Sequence, residues 1–308
     1  MWPPARPPLN PTPILDVSME EVDHYENFPV ASVLLPKALR APVGVIYHVA
    51  RTADDIADEG DGTPAERHAR LADFRDGLDA VSQGREAPVH PTLFAKLADV
   101  VRQCRLPMQP FYDLVSAFDQ DIDKLRYADR HELLDFCHRS ATPVGRLMLH
   151  LIDAATPDNL AASDAICTAL QLTTFLQDVR ADWRNGRVYL PQAERDRFGV
   201  TEAQIAAGIV DDGWRALMKH EVQAARALMI TGAPLALRVP GRFGLELCSV
   251  VHGCLRLLER IERADYDVFR ERPALTMSDW AVVLWRTAAM WLSRRVGMGV
   301  PSIGNNNA

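Results

Sequence analysis

The sequence lacks several features that mark particular classes of protein. No stretch approaches 18 consecutive apolar residues, so no transmembrane helix is expected. The five cysteines form no CxxC pair and are odd in number, which argues against a zinc site or disulfide framework and favours a reducing cytosol. GxGxxG, GxxxxGK[ST] and HExxH are all absent, so a nucleotide fold, a reductive NADPH step and transition-metal ligation have no support. The net charge of -7 argues against a nucleic-acid partner.

What remains is a chain of 308 residues, 48% apolar, in which helical stretches alternate with short Pro or Gly breaks. Strict alternation of apolar and polar residues, the pattern of a half-buried strand, is absent. The pattern predicts an all-α single domain of roughly ten helices, with boundaries uncertain by a few residues. A capping box of Ser18 and Glu21 predicts a first short helix, and another helix follows Thr63. The other predicted helical stretches are 43–59, 92–104, 108–125, 131–152, 158–184, 211–231, 242–270 and 278–296.

The domain boundaries follow from composition. Residues 1–17 are proline-rich and predict a disordered tail, residues 18–298 predict one folded domain, and residues 299–308 predict a flexible end. Pro42 has the character of a first-turn proline at the start of the helix beginning at Val43. Thr63 predicts the cap of the next helix, because Pro and Glu follow at the positions typical of a capping box.

The segment YHVARTADDIADEG carries the first chemical signal. Tyr47, Arg51, Asp54 and Asp58 lie at offsets 0, 4, 7 and 11, which places them on one helix face. Two carboxylates near a helix C-terminus repel each other and oppose the helix dipole, so they need a compensating cation. Hard oxygen ligands favour Mg²⁺ bridging to phosphates. A solvated acidic helix end explains this segment alone about equally well.

The segment LQLTTFLQDVRADWRNGRVYLP favours a metal site over a solvated acidic helix end. Thr174, Asp178 and Asp182 recur every four residues as a polar stripe on an otherwise apolar helix, which indicates a lined cavity. Arg184 and Arg187 follow at once, and guanidinium groups suit bidentate phosphate binding. Two such acidic stripes can face each other across a helical bundle and hold metal ions against a diphosphate.

The sequence resembles the squalene/phytoene synthase family, the head-to-head prenyl synthases, from about His24 to Arg272. The matching motifs are HYENFPVAS and LLP, IYHVARTADDIADE, the RY pair Arg126–Tyr127, FCHRSATPVG, FLQDVRADWRNGRVYLP and IERADYDVF. The resemblance implies a single-domain isoprenoid synthase bundle with a central cavity, whose cofactor is Mg²⁺.

The resemblance also implies roles for individual residues. Metal ligation falls on Asp54, Asp58, Thr174, Asp178 and Asp182. We assign contact with the diphosphate to Asn27, Arg51, Arg184, Arg187 and Tyr189. We assign the reaction site itself to Tyr47, Arg51, Phe136 and Tyr266.

Within the family, the HYENFPVAS, ADDIADEG and TPVGR segments are most similar to the bacterial hydroxysqualene synthases of hopanoid biosynthesis. That implies ionisation of presqualene diphosphate, rearrangement, and capture of the cation by water. Two residues depart from the family pattern. Thr174 replaces the usual Asn, although a hydroxyl can still bind a hard cation. Phe136 replaces a frequent Tyr, and losing that hydroxyl would hurt a condensation step more than an ionisation step.

Two other functions stay open. One is a head-to-head synthase that makes presqualene diphosphate, squalene or a carotenoid precursor from farnesyl or geranylgeranyl diphosphate. The other is a non-catalytic assembly protein on the same fold, against which the four aspartates argue. We expect a cytoplasmic protein that touches the inner membrane and pathway enzymes transiently. Trp280, Trp285 and Trp291 in the last helix are candidates for that contact, although ordinary packing of that helix is the favoured explanation.

Overall fold

The computed structural model describes residues 37–58 and 62–296, with side chains described up to residue 292. These residues form an all-α domain and contain no strand, only one isolated bridge between Arg126 and Val188. The thirteen helices of the described ranges are α1 Lys37–Asp58, α2 Pro64–Ser82, α3 Pro91–Cys104, α4 Gln109–Asp123, α5 Arg130–Ser140, α6 Thr142–Leu151, α7 Pro157–Arg184, α8 Gln192–Phe198, α9 Glu202–Ala207, α10 Asp212–Gly232, α11 Leu235–Arg238, α12 Gly241–Arg263 and α13 Met277–Val296.

Some helix boundaries follow the sequence prediction closely. Thr63 caps α2 with the complete capping box: its side chain accepts from the Glu66 backbone, and the Glu66 carboxylate accepts from the Thr63 backbone. Helix α7 runs within a residue of its predicted range. The predicted tails, residues 1–17 and 299–308, lie outside the described residues, as do Asn27 and the short helix predicted at Ser18.

Other boundaries differ from the prediction. The stretch 131–152 is two helices, because Pro143 has no N–H to donate and its ring crowds the preceding turn. Helix α1 already includes Lys37, so Pro42 lies inside the helix and not in its first turn. Helix α12 ends at Arg263, since Asp265 and Tyr266 adopt positive φ angles of 53° and 62°. The short helices α8, α9 and α11 were not predicted.

The apolar side chains form two connected groups. One joins α1, α2, α3, part of α4 and α6, around fully buried residues such as Phe74 and Phe94. The other surrounds α7, which packs against α10, α12, α5 and α6, with Trp214 fully buried. This packing brings the C-terminal ends of α1, α4 and α7 to the same side of the domain, and each end carries aspartates.

Helix α13 packs against α12 and leaves one apolar face in solvent. Its exposed large side chains are Met277, Leu284, Trp285 and Leu292. Trp280 and Trp291 are half-buried, so of the three tryptophans singled out in the sequence only Trp285 is exposed. Within the described ranges, no helix has both the length and the hydrophobicity to cross a bilayer.

Candidate active site

Arg187 connects two of the acidic helix ends. It lies in the loop after α7, and its Nη2 is 2.8 Å from Oδ1 of Asp58 and 3.3 Å from Oδ2 of Asp121. The phenol of Tyr189 donates to both Asp121 oxygens, at 3.1 and 3.0 Å. Burial and the nearby Asp121 raise the pKa of Tyr189, so this phenol stays protonated and donating. Asp121 therefore fixes a cation and a donor beside the end of α1.

Asp121 influences a carboxyl in each acidic pair, Asp54/Asp58 and Asp178/Asp182. Burial, then the charge of Asp58, raises the pKa of Asp54 to about 6, and Asp121 adds to the shift. Burial, then the charge of Asp178, raises the pKa of Asp182 to about 7, and Asp121 again contributes. The geometry agrees, because the backbone N–H of Arg187 donates to the carbonyl of Asp182 at 2.8 Å while its guanidinium binds Asp58, so Arg187 adjoins the ends of both acidic stripes. The arrangement concentrates more negative charge than it neutralises.

Arginines supply the existing counter-charge. The guanidinium of Arg272 binds both oxygens of Asp178, with one contact at 3.0 Å. Arg51 pairs with Asp54 at 3.2 Å and with Asp55 at 2.8 Å. In each case the pair is partly exposed, so solvent weakens it and the arginine can exchange partners.

A stack of aromatic rings adjoins the carboxylates. The rings of Phe175 and Tyr189 lie parallel with centroids 3.8 Å apart, and Phe136 stacks against Tyr189 at 6.1 Å. Tyr127 completes the group, 5.7 Å from Tyr189. A small cavity of about 10 Å³, room for about one water, lies between this stack and Asp182. The site thus has an acidic side and an aromatic side.

Two predicted residues lie elsewhere. Arg184 is exposed on α7 about 200° around the helix from Asp182, so its side chain faces away from the acidic stripe. Tyr266 follows the end of α12, where burial and Glu262 raise its pKa and Arg226 of α10 is a neighbour. Neither residue contacts the carboxylates, so the roles of Arg184 at the diphosphate and of Tyr266 at the reaction centre stay predictions.

The remaining predicted residues have simpler positions. Thr174 is on the stripe of Asp178, but its hydroxyl donates to the carbonyl of Leu170 at 3.2 Å. Its oxygen lone pairs are still available to a cation. Tyr47 lies two turns before Asp54 on α1, with its ring edge-on to that of His48.

The structure also adds residues that the sequence reasoning missed. Asp121 and Arg272 both contact the predicted site, and Phe175 supplies the central ring of the aromatic stack. The only sequence signal for Asp121 is its place in the run DQDID before the RY pair, and Arg272 follows the DYDVF motif closely. Neither has a helical spacing relation to the residues that it contacts.

The carboxylates fit Mg²⁺ in one particular way. Within the described ranges, no three acidic, histidine or cysteine side chains converge closely enough to enclose an ion. Mg²⁺, however, is ordinarily held by one or two carboxylates, with waters and phosphate oxygens as further ligands. Burial, and then a neighbouring aspartate, raises the pKa values of Asp54 and Asp182, so an added cation would stabilise their ionised forms. The donor set therefore suits an ion bridging to a diphosphate better than a closed cage.

Comparison with known proteins decides the family. The sequence profile described as "Squalene/phytoene synthase" matches residues 22–279. The chain belongs to the squalene/phytoene synthase family. Its members process prenyl diphosphates, so both acidic stripes and the arginines lie in an enzyme of that chemistry.

Individual relatives of this family carry different names. The phytoene synthase of Arthrospira platensis is 30% identical over 81% of this chain and 84% of its own length. The hydroxysqualene synthase of Rhodopseudomonas palustris is 32% identical over 78% of this chain and 80% of its own length. The chloroplastic phytoene synthase 1 of Solanum lycopersicum is longer, and the chain covers 64% of it at 29% identity. Phytoene and hydroxysqualene synthases are therefore about equally similar.

A solved structure confirms the fold. The squalene synthase HpnC from Alicyclobacillus acidocaldarius superposes with a TM-score of 0.73 at 36% identity, covering 79% of this chain and 90% of that one. The all-helical, single-domain prediction is thereby confirmed.

Proposed function

We propose that this enzyme is a hydroxysqualene synthase that ionises presqualene diphosphate with Mg²⁺ and captures the rearranged cation with water. The observation that carries the proposal is the placement of two aspartate pairs, on α1 and α7, around Asp121 and Arg187. Each pair has one carboxyl with a pKa raised to about 6 or 7 by burial and by its partner. Groups perturbed in this way cluster at functional sites.

The carboxylates and arginines divide the work of ionisation. Asp54, Asp58, Asp178 and Asp182 would hold Mg²⁺, which supplies positive charge to the departing diphosphate. Arg187 and Arg272 lie against these carboxylates and can move to the phosphate oxygens as negative charge develops there. Both arginines remain protonated throughout, so they provide charge without transferring a proton.

The aromatic stack suits the cation that ionisation leaves behind. Phe175 and Tyr189 line the small cavity beside Asp182, with Phe136 stacked against Tyr189, and a desolvated cation–π contact is worth roughly 2 kcal/mol. Phe136 is almost completely buried and brings no hydroxyl. Tyr189 keeps its phenol turned to Asp121. Rings without a free nucleophile protect the cation until rearrangement is complete.

The test is product analysis with pure enzyme. Incubation of presqualene diphosphate with Mg²⁺ and without NADPH is expected to give hydroxysqualene and diphosphate, detected by mass spectrometry. Chelation of Mg²⁺ is expected to stop the reaction. Asp178→Ala is expected to abolish turnover, whereas Asp73→Asn, an exposed change on α2, should leave it intact. Recovery of unreacted presqualene diphosphate from the complete mixture would contradict the proposal.

The alternative is condensation of farnesyl or geranylgeranyl diphosphate to presqualene diphosphate, squalene or phytoene-type products. The similarity to phytoene synthases, about equal to that to a hydroxysqualene synthase, supports this alternative. The same assay distinguishes the two, because the alternative predicts consumption of farnesyl or geranylgeranyl diphosphate supplied alone. The more remote alternative, a non-catalytic assembly protein, predicts that no diphosphate is turned over at all.

We further propose a cytoplasmic enzyme that touches the membrane surface through α13, where an oily product could leave. The support is the exposed apolar face of this helix, on which Trp285 is 70% exposed. Tryptophan favours membrane–water interfaces because its ring is amphipathic. Co-sedimentation with phospholipid vesicles should fall for Trp285→Ser and not for Trp280→Phe. Equal sedimentation of both variants and the wild type would remove α13 from this role.

A further inference from the structure

A second pocket lies on the side of α7 that faces away from the aspartates. It has a volume of about 530 Å³, within the range of small-molecule sites. Helix α7 contributes Arg180, Trp183 and Arg184, and the opposite wall comes from the end of α9 and from residues 267–270. Because Arg180 and Arg184 are each two residues after an aspartate of the acidic stripe, they point about 200° away from it. The pocket is therefore separate from the candidate active site.

The rim of this pocket is cationic. Arg184 and Arg270 are exposed, and neither makes an ion pair or side-chain hydrogen bond with any residue that the structure describes. Arg180 donates to the carbonyl of Phe269. The one acidic side chain in the lining, Asp267, accepts from the backbone N–H groups of Phe269 and Arg270 at 3.1 and 3.0 Å. With three arginines and one aspartate, the lining of the pocket carries a net charge of +2.

One wall of the same pocket is apolar and firmly held. Ile205 and Phe269 are almost completely buried, and Phe269 packs against Trp214 with centroids 4.5 Å apart. Gly208, at the end of α9, approaches this wall closely: a Cβ there would lie 3.3 Å from Phe269. Trp183 is half-buried and adds an aromatic surface. Guanidinium groups without an ion pair, those of Arg184 and Arg270, thus lie beside an apolar wall. This combination suits a ligand that has both an anionic and an apolar group.

We propose that this pocket binds a phosphate or diphosphate ester, with Arg184 and Arg270 on the phosphate and Trp183 and Phe269 against the apolar part of the ligand. Arginine is the side chain best suited to this anion, because its planar fork pairs with two phosphate oxygens at once. The ester can be a soluble molecule or the headgroup of a phospholipid. This inference does not depend on the proposed reaction.

Calorimetry without divalent ions tests the pocket apart from turnover. With EDTA present, geranyl diphosphate is titrated into the wild type, into Arg184→Gln/Arg270→Gln, and into Arg242→Gln. Arg242 is a matched control, since it is exposed, has no ion pair within the described ranges and lies outside the pocket. The double variant is expected to bind at least about 10-fold more weakly, because each lost charge-assisted hydrogen bond contributes about that factor. The control is expected to bind like the wild type.

A second variant blocks the space and leaves the charge intact. Ala207→Trp adds a bulky side chain at an exposed position of the lining and is expected to weaken binding of geranyl diphosphate. Inorganic pyrophosphate should bind the wild type more weakly than geranyl diphosphate, because it lacks the apolar group. Vesicles of phosphatidylcholine with and without phosphatidic acid then separate the sources: binding to acidic vesicles alone identifies a lipid headgroup.

Three results would overturn the proposal. One is no binding of any of these probes to the wild type. Another is unchanged binding in both the double variant and Ala207→Trp. The third is binding that survives the double variant and disappears in Arg187→Gln, because that pattern locates the ligand at the acidic site.

Discussion

Replacing Asp182 by Asn should make the metal-free enzyme more stable. Burial, then Asp178, raises the pKa of the Asp182 carboxyl from 3.8 to about 7. At a pH above 7 the folded protein must therefore keep an ionised group that its surroundings disfavour. The Asp182 carboxyl makes no side-chain hydrogen bond within the described ranges, so an amide of the same shape loses none. The substitution removes the repulsion and leaves the packing almost unchanged.

The size of the effect follows from the pKa shift. About 3 pKa units correspond to roughly 4 kcal/mol at most, since each unit is 1.36 kcal/mol. Asp182 is partly exposed and its neighbours relax, so we expect about 2 kcal/mol. For a domain of this size that amounts to a rise in Tm of about 4 °C.

The stability gained by Asp182→Asn should grow as the pH rises, because the raised pKa of Asp182 makes its ionised form unfavourable in the folded protein. The folded chain binds this proton more tightly than the unfolded chain, so the associated stability is complete below pH 3.8 and is lost as pH rises to about 7. The advantage of Asp182→Asn should thus be full at about pH 8 and fall to roughly half at about pH 5.5. Thermal melting in EDTA, followed by circular dichroism, measures both values.

Two comparisons make the experiment decisive. Asp73→Asn changes the same net charge at an exposed position on α2 and should shift Tm little. Addition of Mg²⁺ and inorganic pyrophosphate should raise the Tm of the wild type more than that of Asp182→Asn, because the variant has lost one of the four carboxylates proposed to hold the ion. A variant that melts at or below the wild-type temperature at pH about 8 would refute the reasoning, as would an advantage that does not shrink on acidification.

Three further substitutions test individual contacts by urea unfolding. Arg187→Gln leaves Asp121 buried without its cation and should cost about 3 kcal/mol, with diphosphate binding lost as well. Tyr189→Phe removes the hydrogen bonds to Asp121 and should cost about 1 kcal/mol, with the aromatic stack intact. Gly77→Ala would place a Cβ 2.3 Å from the buried ring of Phe94, so overpacking should cost about 2 kcal/mol. For each variant, a urea midpoint equal to that of the wild type would contradict the contact that the substitution tests.

Local chemistry made much of the fold predictable. The capping box at Thr63 and the long periodic pattern of α7 depend on neighbours within one or two turns, and both appear as predicted. The break before Pro143 was also encoded locally, but the apolar periodicity on both sides of it concealed the end of α5. The left-handed residues Asp265 and Tyr266 end α12 with no glycine or proline to signal it.

The site was only partly predictable, since its parts come from distant segments. Each acidic stripe follows from helical spacing alone, because four-residue intervals share a face. Closeness in sequence is the only basis for grouping Arg184 with Asp182, and helical geometry turns the Arg184 side chain away from that carboxylate. Asp121 and Arg272 meet the stripes only through tertiary packing, and no periodicity in one sequence connects positions so far apart.

The arginines explain how such a concentration of acid can exist in a folded protein. Like charges at the ends of α1 and α7 oppose both each other and the helix dipoles. Arg187 and Arg272 offset that repulsion by pairing with Asp58 and Asp178. An arginine that neutralises a carboxylate cannot at the same time neutralise a phosphate. Under the proposed function, a cation held by the aspartates would free the arginines for diphosphate, and by linkage diphosphate would strengthen cation binding to the same extent.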